Sequence, residues 1–517
     1  MADYSDDPRR RLSKRTLLRG VGAAGLIGLG GNAAWAAGTY AVPEYSVDPN
    51  TTFDVIVIGA GTAGMPLALW ASTRGKVLVI ERGPDVGGTL FLSGGMMSAA
   101  GTNLQKRMGI KDSPDMHYSD TMRMGHGKAM PDVTRLYVDN AADTINWLED
   151  IGMKYPEGQP LLGVHAEFPT RRYHGGARGG LSILEALKPG FAKAEAAGKI
   201  RVLLRTGAVE LVKDRDGAVT GVIAIDERGV RTHYKGRNIV LTAGGTMRNP
   251  VVFAKYHKTG LYGRTAYEYS QGQGIEMGVA AGGHVSGGDL YIAHRGAILT
   301  DRNWPSPDFA RAAMDSRRRQ PWEIEVNANG QRYVAEDADI DTLERAMTDQ
   351  PGMGAWLLWD QEIYDKAPPL ISRLTKEQQM SAFTTGHPMF ARADSLEELA
   401  RRMNLPPAKL AQTVKDYNAG VAAKSDTFGR KHMPMVIAKA PYYIVETRGT
   451  GVFSHAGLDV DGQLRVVTPE KKPIKNLYAA GEVIGGWQCA GDVVVNGCMV
   501  TPAVTFGRLL GQKMLKI

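Results

Sequence analysis

The sequence predicts an α/β protein built on a Rossmann-like dinucleotide-binding unit, and three observations predict it. Residues Phe53–Ile58 (FDVIVI) form a short, β-branched apolar run, the pattern of a parallel strand buried on both faces. That run leads into Gly59-Ala60-Gly61-Thr62-Ala63-Gly64, a G-x-G-x-x-G turn, and then into a helical stretch, Met65–Thr73. A second apolar run, Lys76–Ile80 (KVLVI), ends on an acid, Glu81. Strand, glycine turn, helix, strand and acid thus fall within about 30 residues, as a dinucleotide site requires.

Each part of this unit has a physical task. Gly59 permits the tight turn, Gly61 lets the backbone approach a pyrophosphate, and Gly64 lets helix and strand pack closely. Ala63 completes the loop. The helix N-terminus offers unpaired N–H groups and the positive end of its dipole to phosphate. Glu81 is placed to accept hydrogen bonds from a ribose hydroxyl pair.

Residues 1–36 read as an address rather than as structure. Arg9, Arg10, Arg11, Lys14, Arg15 and Arg19 precede a weakly apolar Gly/Ala run, Gly20–Gly30, and an A-x-A-like site at Ala34-Trp35-Ala36. Two registers, Arg9–Lys14 and Ser13–Arg19, resemble a twin-arginine export signal, which sends out folded, cofactor-loaded proteins. The expected location is periplasmic or otherwise exported. No later stretch is apolar enough to span a membrane, so no integral membrane segment is expected in the mature chain.

Composition narrows the remaining classes. At 517 residues the chain is too long for one simple core. Its 63 glycines, without a collagen-like period, point to tight turns and close backbone–ligand approach. The two cysteines, Cys489 and Cys498, exclude a disulfide scaffold, a four-cysteine iron–sulfur cluster and a C-x-x-C-H haem. A disulfide between them stays open. No metal site is expected, and a net charge of +8 is too modest to imply nucleic acid.

The glycine motif does not choose between FAD and NAD; the rest of the chain favours FAD. Leu477–Glu482 (LYAAGE) is a returning strand, a glycine turn and an acid, suited to bring a carboxylate to a ribityl chain. Ile239–Thr242 (IVLT) runs into Ala243-Gly244-Gly245, another close backbone turn. No second G-x-G-x-x-G follows a strand, so one FAD and no built-in nicotinamide site are expected.

Ser93–Thr102 (SGGMMSAAGT), Gly109–Pro114, Asp120–Met122, Gly175-Gly176, Asn329–Tyr333 (NGQRY), Gly481–Gly486 and Thr505–Arg508 together resemble the fumarate reductase/succinate dehydrogenase flavoprotein superfamily. The flavocytochrome-type fumarate reductases and 3-ketosteroid dehydrogenases belong to it. The resemblance spans about residues 52–513. It implies a Rossmann-like FAD-binding domain (50–288 and 454–517) interrupted by a smaller α+β capping domain (289–453). Substrate would lie between cap and flavin.

The resemblance also carries over FAD contacts. Gly59, Gly61 and Gly64 match the phosphate loop and Glu81 the ribose acid. Thr89, Leu90, Gly94 and Gly95 match the segment along the flavin, and Ala208 lies near the adenine position. Glu482 matches the ribityl acid, and Met499 and Val500 match backbone donors at the pyrimidine edge, opening a helix Val500–Met514. Gln273 stands where the family has an Asp. Gly88 stands where one branch carries a covalently attached His, so non-covalent FAD is expected.

The catalytic positions depart from fumarate chemistry. The family's Arg acid falls at Ile340, its second His near Phe453 and its carboxylate-binding Arg near Val494. Burying a dicarboxylate there without partners is costly. His294 keeps one family His; Arg319 matches an Arg of the proton relay, with Ser316 where its carboxylate stood; Arg345 is a conceivable substitute acid. The Gly497–Gly507 tail resembles the ketosteroid branch, where the backbone N–H matching Gly497 polarises a ketone. That branch's catalytic Tyr falls at Val493, with Tyr291, Tyr267, Tyr269 and Tyr333 as replacements.

The expected activity is FAD-dependent dehydrogenation or reduction at a CH–CH/C=C bond of a neutral, apolar or aromatic carbonyl-activated substrate. The expected catalytic set is His294, Tyr291, His455, Gly497 and Arg319. Electrons would pass to or from an external partner: oxygen, a quinone or a cytochrome. The competing readings are a fumarate-reductase-like reductase of an unsaturated carboxylate, an oxygen-using oxidase, and a non-catalytic flavin-binding protein.

Overall fold

The structure, a computed structural model, describes residues 46–163, 170–263, 266–371, 374–494 and 497–517. Residues 1–36, read above as an export signal, lie outside the described residues.

Two large sheets organise the chain. In chain order their strands are β1 (Ser46–Ile58), β2 (Val77–Ile80), β3 (Ile200–Leu203), β4 (Gly207–Lys213), β5 (Val219–Ile225) and β6 (Arg231–Leu241). There follow β7 (His294–Leu299), β8 (Asp308–Arg311), β9 (Ile324–Val326), β10 (Gly354–Asp360), β11 (Phe390–Ala393) and β12 (Tyr442–Thr450). The last two are β13 (Arg465–Val467) and β14 (Pro473–Ala479). Four helices bear on the site: α1 (Gly64–Ala71), α2 (Gln273–Ala280), α3 (Ile340–Thr348) and α4 (Val500–Leu509).

The main sheet has eight strands in the order β13-β14-β6-β1-β2-β3, with β5 paired to β6 and β4 to β5. β1, β2 and β3 pair in parallel, as do β6 and β14. The β4-β5-β6 arm is antiparallel. Val55, Ile56, Val57, Leu78 and Val79 are wholly buried, in a core shared with Met65, Leu67 and Ala68 of α1 and with Val219, Val222 and Ala224 of β5.

The second sheet has six antiparallel strands in the order β8-β7-β12-β10-β9, with β11 paired to β12. It has its own core, including Ile298, Ile324, Leu358, Tyr443 and Ile444. Residues 294–450, inserted between β6 and β13, supply all of it. Helix α3 packs beside β7 and β12. Asp339 caps its N-terminus by accepting the Thr342 N–H (3.0 Å). Ile340, Leu343, Glu344 and Met347 form its buried stripe, at helical spacing. Among the described residues, no helix is long and apolar enough to cross a membrane.

Candidate active site

A cavity of about 1010 Å³, counting the part open to solvent, opens at the C-terminal ends of β1, β2 and β6. That is where an open α/β sheet places its ligand. The Gly59 N–H donates to the Ile80 carbonyl (2.8 Å) and the Thr242 N–H to the Ile58 carbonyl (2.8 Å), so the three strand ends are tied together. Thr242 Oγ1 also donates to the Gly59 carbonyl (2.7 Å). Helix α1 starts beside this knot without any side-chain cap. The Met65 and Leu67 N–H groups donate to the Gly61 (3.1 Å) and Ala63 (3.2 Å) carbonyls and Pro66 has no N–H, so the N–H groups of the glycine loop up to Gly64 are those left for a ligand.

Of the residues expected to hold the cofactor, Gly59, Gly61, Ala63, Glu81, Thr89, Ala208, Gln273, Glu482, Met499 and Val500 line the cavity. Gly64 lies behind it, packed on the Gly59 carbonyl; a Cβ there would fall 1.9 Å from that oxygen. Leu90 is wholly buried and Gly95 packs against Gly179 and Gly180, so these two back the wall rather than line it, while Gly94 is exposed and does not line the cavity. The lining also holds Thr62, Arg82, Thr206, Tyr267, Tyr269 and Ser270, which sequence reasoning did not assign to the cofactor.

The lining fits FAD. A Cβ at Gly61 would meet only the Gly88 Cα, at 3.9 Å, so the space above that backbone is left for a ligand. The Glu81 carboxylate is set by the N–H groups of Ala60 (2.7 Å) and Gly83 (2.6 Å), with acceptor capacity to spare for a ribose. Burial raises the affinity of Glu81 for a proton, and those backbone donors oppose it. Tyr267 lies close to Gly83, so Tyr267 and Tyr269 belong to the Glu81 end rather than replacing a catalytic tyrosine. Tyr333 is also excluded from that role, because its hydroxyl donates to Glu325 within the second sheet's segment.

At the other end, the Ser454 N–H donates to Glu482 Oε1 (2.9 Å) and Ser454 Oγ accepts the Thr246 N–H (2.7 Å). This ties Phe453 and His455, on either side of Ser454, to the Glu482 end of the cavity, although neither residue lines it. Tyr291 joins them: its ring is perpendicular to that of His455, with centroids 5.5 Å apart. Phe453 stacks on His455 at 4.7 Å. Tyr291 and His455 are buried, yet the tyrosine hydroxyl and both imidazole nitrogens have no hydrogen-bond partner among the described residues. Burial, with neighbouring His257, pushes the His455 pKa down to about 3, so its ring is neutral at pH 7. Burial pushes the Tyr291 hydroxyl up, so it stays protonated. His257 accepts the Ala456 N–H at Nε2 (3.1 Å) and lies 3.1 Å from the Phe253 carbonyl at Nδ1, which fixes it as the Nδ1–H tautomer.

Through Phe453, His455 joins an apolar group made of Met124, Phe453, Ala490, Val493, Val494 and Cys498, with Met499 packed on it, whereas Tyr291 packs in a separate group with Met247, Phe253 and Met353. Met499 also lines the cavity. Gly497, in the left-handed region (φ +78°), packs so closely on Met97–Ser98 that a Cβ would fall 2.4 Å from the Ser98 nitrogen. The turn continues into α4, which again has no side-chain cap. Cys489 and Cys498 are buried, and no disulfide joins them.

Three other expected residues stand elsewhere. His294 heads β7 with Nδ1 2.8 Å from Glu344 Oε1, the one charged group on the buried stripe of α3. Arg319 is not brought to the group. Its guanidinium pairs bidentately with Glu323 (2.8 and 2.9 Å), and its Nε donates to the Pro368 carbonyl (3.1 Å). In place of the carboxylate lost at Ser316, Glu323 supplies one, four residues beyond Arg319. Arg345 is committed to Asp341 and Asp492.

Comparison with known proteins agrees with this geometry. The family described as FAD binding domain matches residues 54–491. The probable fumarate reductase Ifc3 of Shewanella frigidimarina is 29% identical over 478 residues, 90% of this chain and 76% of the relative. The vinyl phenol reductase of Lactiplantibacillus plantarum is 26% identical over 462 residues, 84% of this chain and 90% of the relative. The open conformation of a flavocytochrome c3 fumarate reductase superposes with a TM-score of 0.67 at 26% identity, covering 90% of this chain and 79% of the other. A 3-ketosteroid-delta4-(5alpha)-dehydrogenase from Rhodococcus jostii shares the fold, with a TM-score of 0.65 at 24% identity over 92% of this chain and 98% of the other. The chain belongs to the FAD-binding-domain family and is an FAD-dependent oxidoreductase acting on CH–CH bonds.

Proposed function

We propose that the protein reduces, or in reverse forms, a C=C bond conjugated to a carbonyl or aromatic group in a neutral, apolar or aromatic substrate. The observation that carries this is the reacting end of the site. Tyr291 and His455 leave buried polar atoms unpaired beside a wall made of Met124, Phe453, Val493 and Val494. The two arginines that could have met a carboxylate, Arg319 and Arg345, are already spent on protein carboxylates. The similar vinyl phenol reductase, named for an aryl alkene, supports the same class.

FAD, when bound, supplies hydride exchange at its central ring. The chain's own groups do the rest. Tyr291, protonated at neutral pH, donates the paired proton to the substrate carbon; the N–H of neutral His455 stabilises the phenolate left behind until solvent returns the proton. The Gly497 N–H stabilises developing enolate charge. His294, oriented by Glu344, stands as a second proton-handling group. Gly88 offers no side chain to bond FAD, so the cofactor is held non-covalently. Residues 289–453 act as the cap over the reacting end. An external donor or acceptor (oxygen, a quinone or a cytochrome) exchanges electrons with the flavin, and the N-terminal segment exports the loaded protein by a twin-arginine route.

Anaerobic titration of the dithionite-reduced enzyme tests this proposal. Reoxidation of the flavin by 4-vinylphenol or a neutral enone, and none by fumarate, is the expected result. Reoxidation by fumarate alone would reject it.

A further inference from the structure

Helix α3 also carries a charged cluster that the proposed chemistry does not use. Arg345 Nε lies 2.9 Å from Asp341 Oδ2, one turn away on the same helix. The Arg345 guanidinium then leaves the antiparallel-sheet segment and grips Asp492, beyond the short helix Trp487–Ala490. Nη1 donates to Oδ2 (2.9 Å), and Nη2 donates to Oδ1 (3.1 Å) and to the Asp492 carbonyl (2.7 Å). The same carboxylate takes Lys128 Nζ (2.6 Å) and lies 2.9 Å from His126 Nδ1; His126 Nε2 is 3.7 Å from Asp341. Only 6% of the Asp492 side chain is exposed. A carboxylate so enclosed needs these partners, and the fork geometry makes Arg345 the most directional of them.

Two neighbours give this cluster a consequence. Asp492 directly precedes Val493 and Val494, part of the apolar wall beside Phe453. Glu344, which holds His294, directly precedes Arg345. One helix turn therefore joins the segment carrying His294 to the loop carrying the wall.

We propose that the Arg345–Asp492 clasp seats the antiparallel-sheet segment on the main body, and that both are positioning residues that shield the flavin end from solvent and hold Val493–Val494 and His294 in register. This rests on the cap role proposed above for residues 289–453.

The test is iodide quenching of flavin fluorescence in the FAD-loaded enzyme at constant ionic strength, comparing wild type with Arg345→Ala, Asp492→Asn, the double variant and Arg345→Lys. Each single loss should raise the quenching constant by about threefold or more, the order expected when a partly buried charge pair is removed from a two-state seating equilibrium. The double variant should match the larger single effect, because the two residues make one contact. Arg345→Lys, which keeps the charge but not the fork, should restore only part of the shielding. Arg345→Ala leaves Asp492 paired with Lys128 and His126, so it decides the question even if Asp492→Asn fails to fold. An unchanged quenching constant in Arg345→Ala, or additive effects in the double variant, would overturn the proposal. The assay uses no substrate, so its failure is distinct from failure of the substrate titration.

Discussion

Two glycines in one loop have different neighbours, and substituting each by alanine separates folding from cofactor binding. At Gly64 a Cβ would fall 1.9 Å from the Gly59 carbonyl oxygen and 2.9 Å from Thr242 Oγ1. The turn must open or helix α1 must shift, at a cost of about 1–3 kcal/mol or more. At Gly61 the protein atom nearest to a Cβ is the Gly88 Cα, at 3.9 Å. The protein itself should hardly notice that methyl group, with stability changing by no more than about 0.5 kcal/mol. A pyrophosphate lying on the Gly61 backbone would notice it. Losing that close approach should weaken FAD binding about tenfold or more, equivalent to roughly 1.4 kcal/mol. The assays are urea unfolding of the apoprotein and fluorimetric titration with FAD. Gly64→Ala should lose apoprotein stability and FAD affinity together, while Gly61→Ala should lose affinity alone. Wild-type FAD affinity in Gly61→Ala, or a loss of apoprotein stability equal to that of Gly64→Ala, would refute the assignment of this loop to the phosphates.

Two further outcomes concern the reacting end. Tyr291→Phe removes a hydroxyl that has no hydrogen-bond partner among the described residues, so the melting temperature should hold or rise. Turnover of a neutral enone should fall by about 10²–10⁴-fold if that hydroxyl is the proton donor; turnover within a factor of about two of wild type would remove Tyr291 from the chemistry. His455 titrates at about 3 in the folded protein against an ordinary value of 6.5. Between those values the unfolded chain binds the extra proton, so stability falls as pH drops through that window. By pH 5 the loss from this residue is about 2 kcal/mol. His455→Phe should therefore flatten the fall in unfolding free energy between pH 7 and 5, leaving the part due to other buried histidines: His117, whose pKa burial pushes well down, and His257 and His174, each pushed down to about 4. Parallel curves for variant and wild type would contradict this.

The cofactor half of the site was legible because its signals are local. Strand, glycine turn, helix, strand and acid follow one another, and each has a composition that little else produces. Element lengths were less legible. The apolar end of β6 was visible as Ile239–Thr242, but its first half, beginning at Arg231, belongs to a partly exposed antiparallel arm and carries no continuous apolar run. The predicted helix Val500–Met514 ends as α4 at Leu509 and continues as a π-type turn, Leu510–Met514. The catalytic half was legible only as a set of candidates. Tyr291 meets His455, and Arg345 meets Asp492, across sequence distances that the insertion of a second sheet closes. Charge alone could not say that Arg319 would find Glu323 and Arg345 would find Asp492 before either found a substrate. The Glu323 partner, four residues from Arg319, was the one signal in reach.

The proposed substrate side accepts a neutral ligand and rejects an unpaired charge. Cinnamamide and cinnamate share a shape and differ in that charge. Their dissociation constants for the oxidised enzyme, read from the perturbed flavin spectrum at pH 7, isolate the effect of the charge. A carboxylate buried against Val493, Val494 and Phe453 without a partner loses about 1–3 kcal/mol or more, so the amide should bind about tenfold tighter or better. Equal affinity, or tighter binding of cinnamate, would contradict the account.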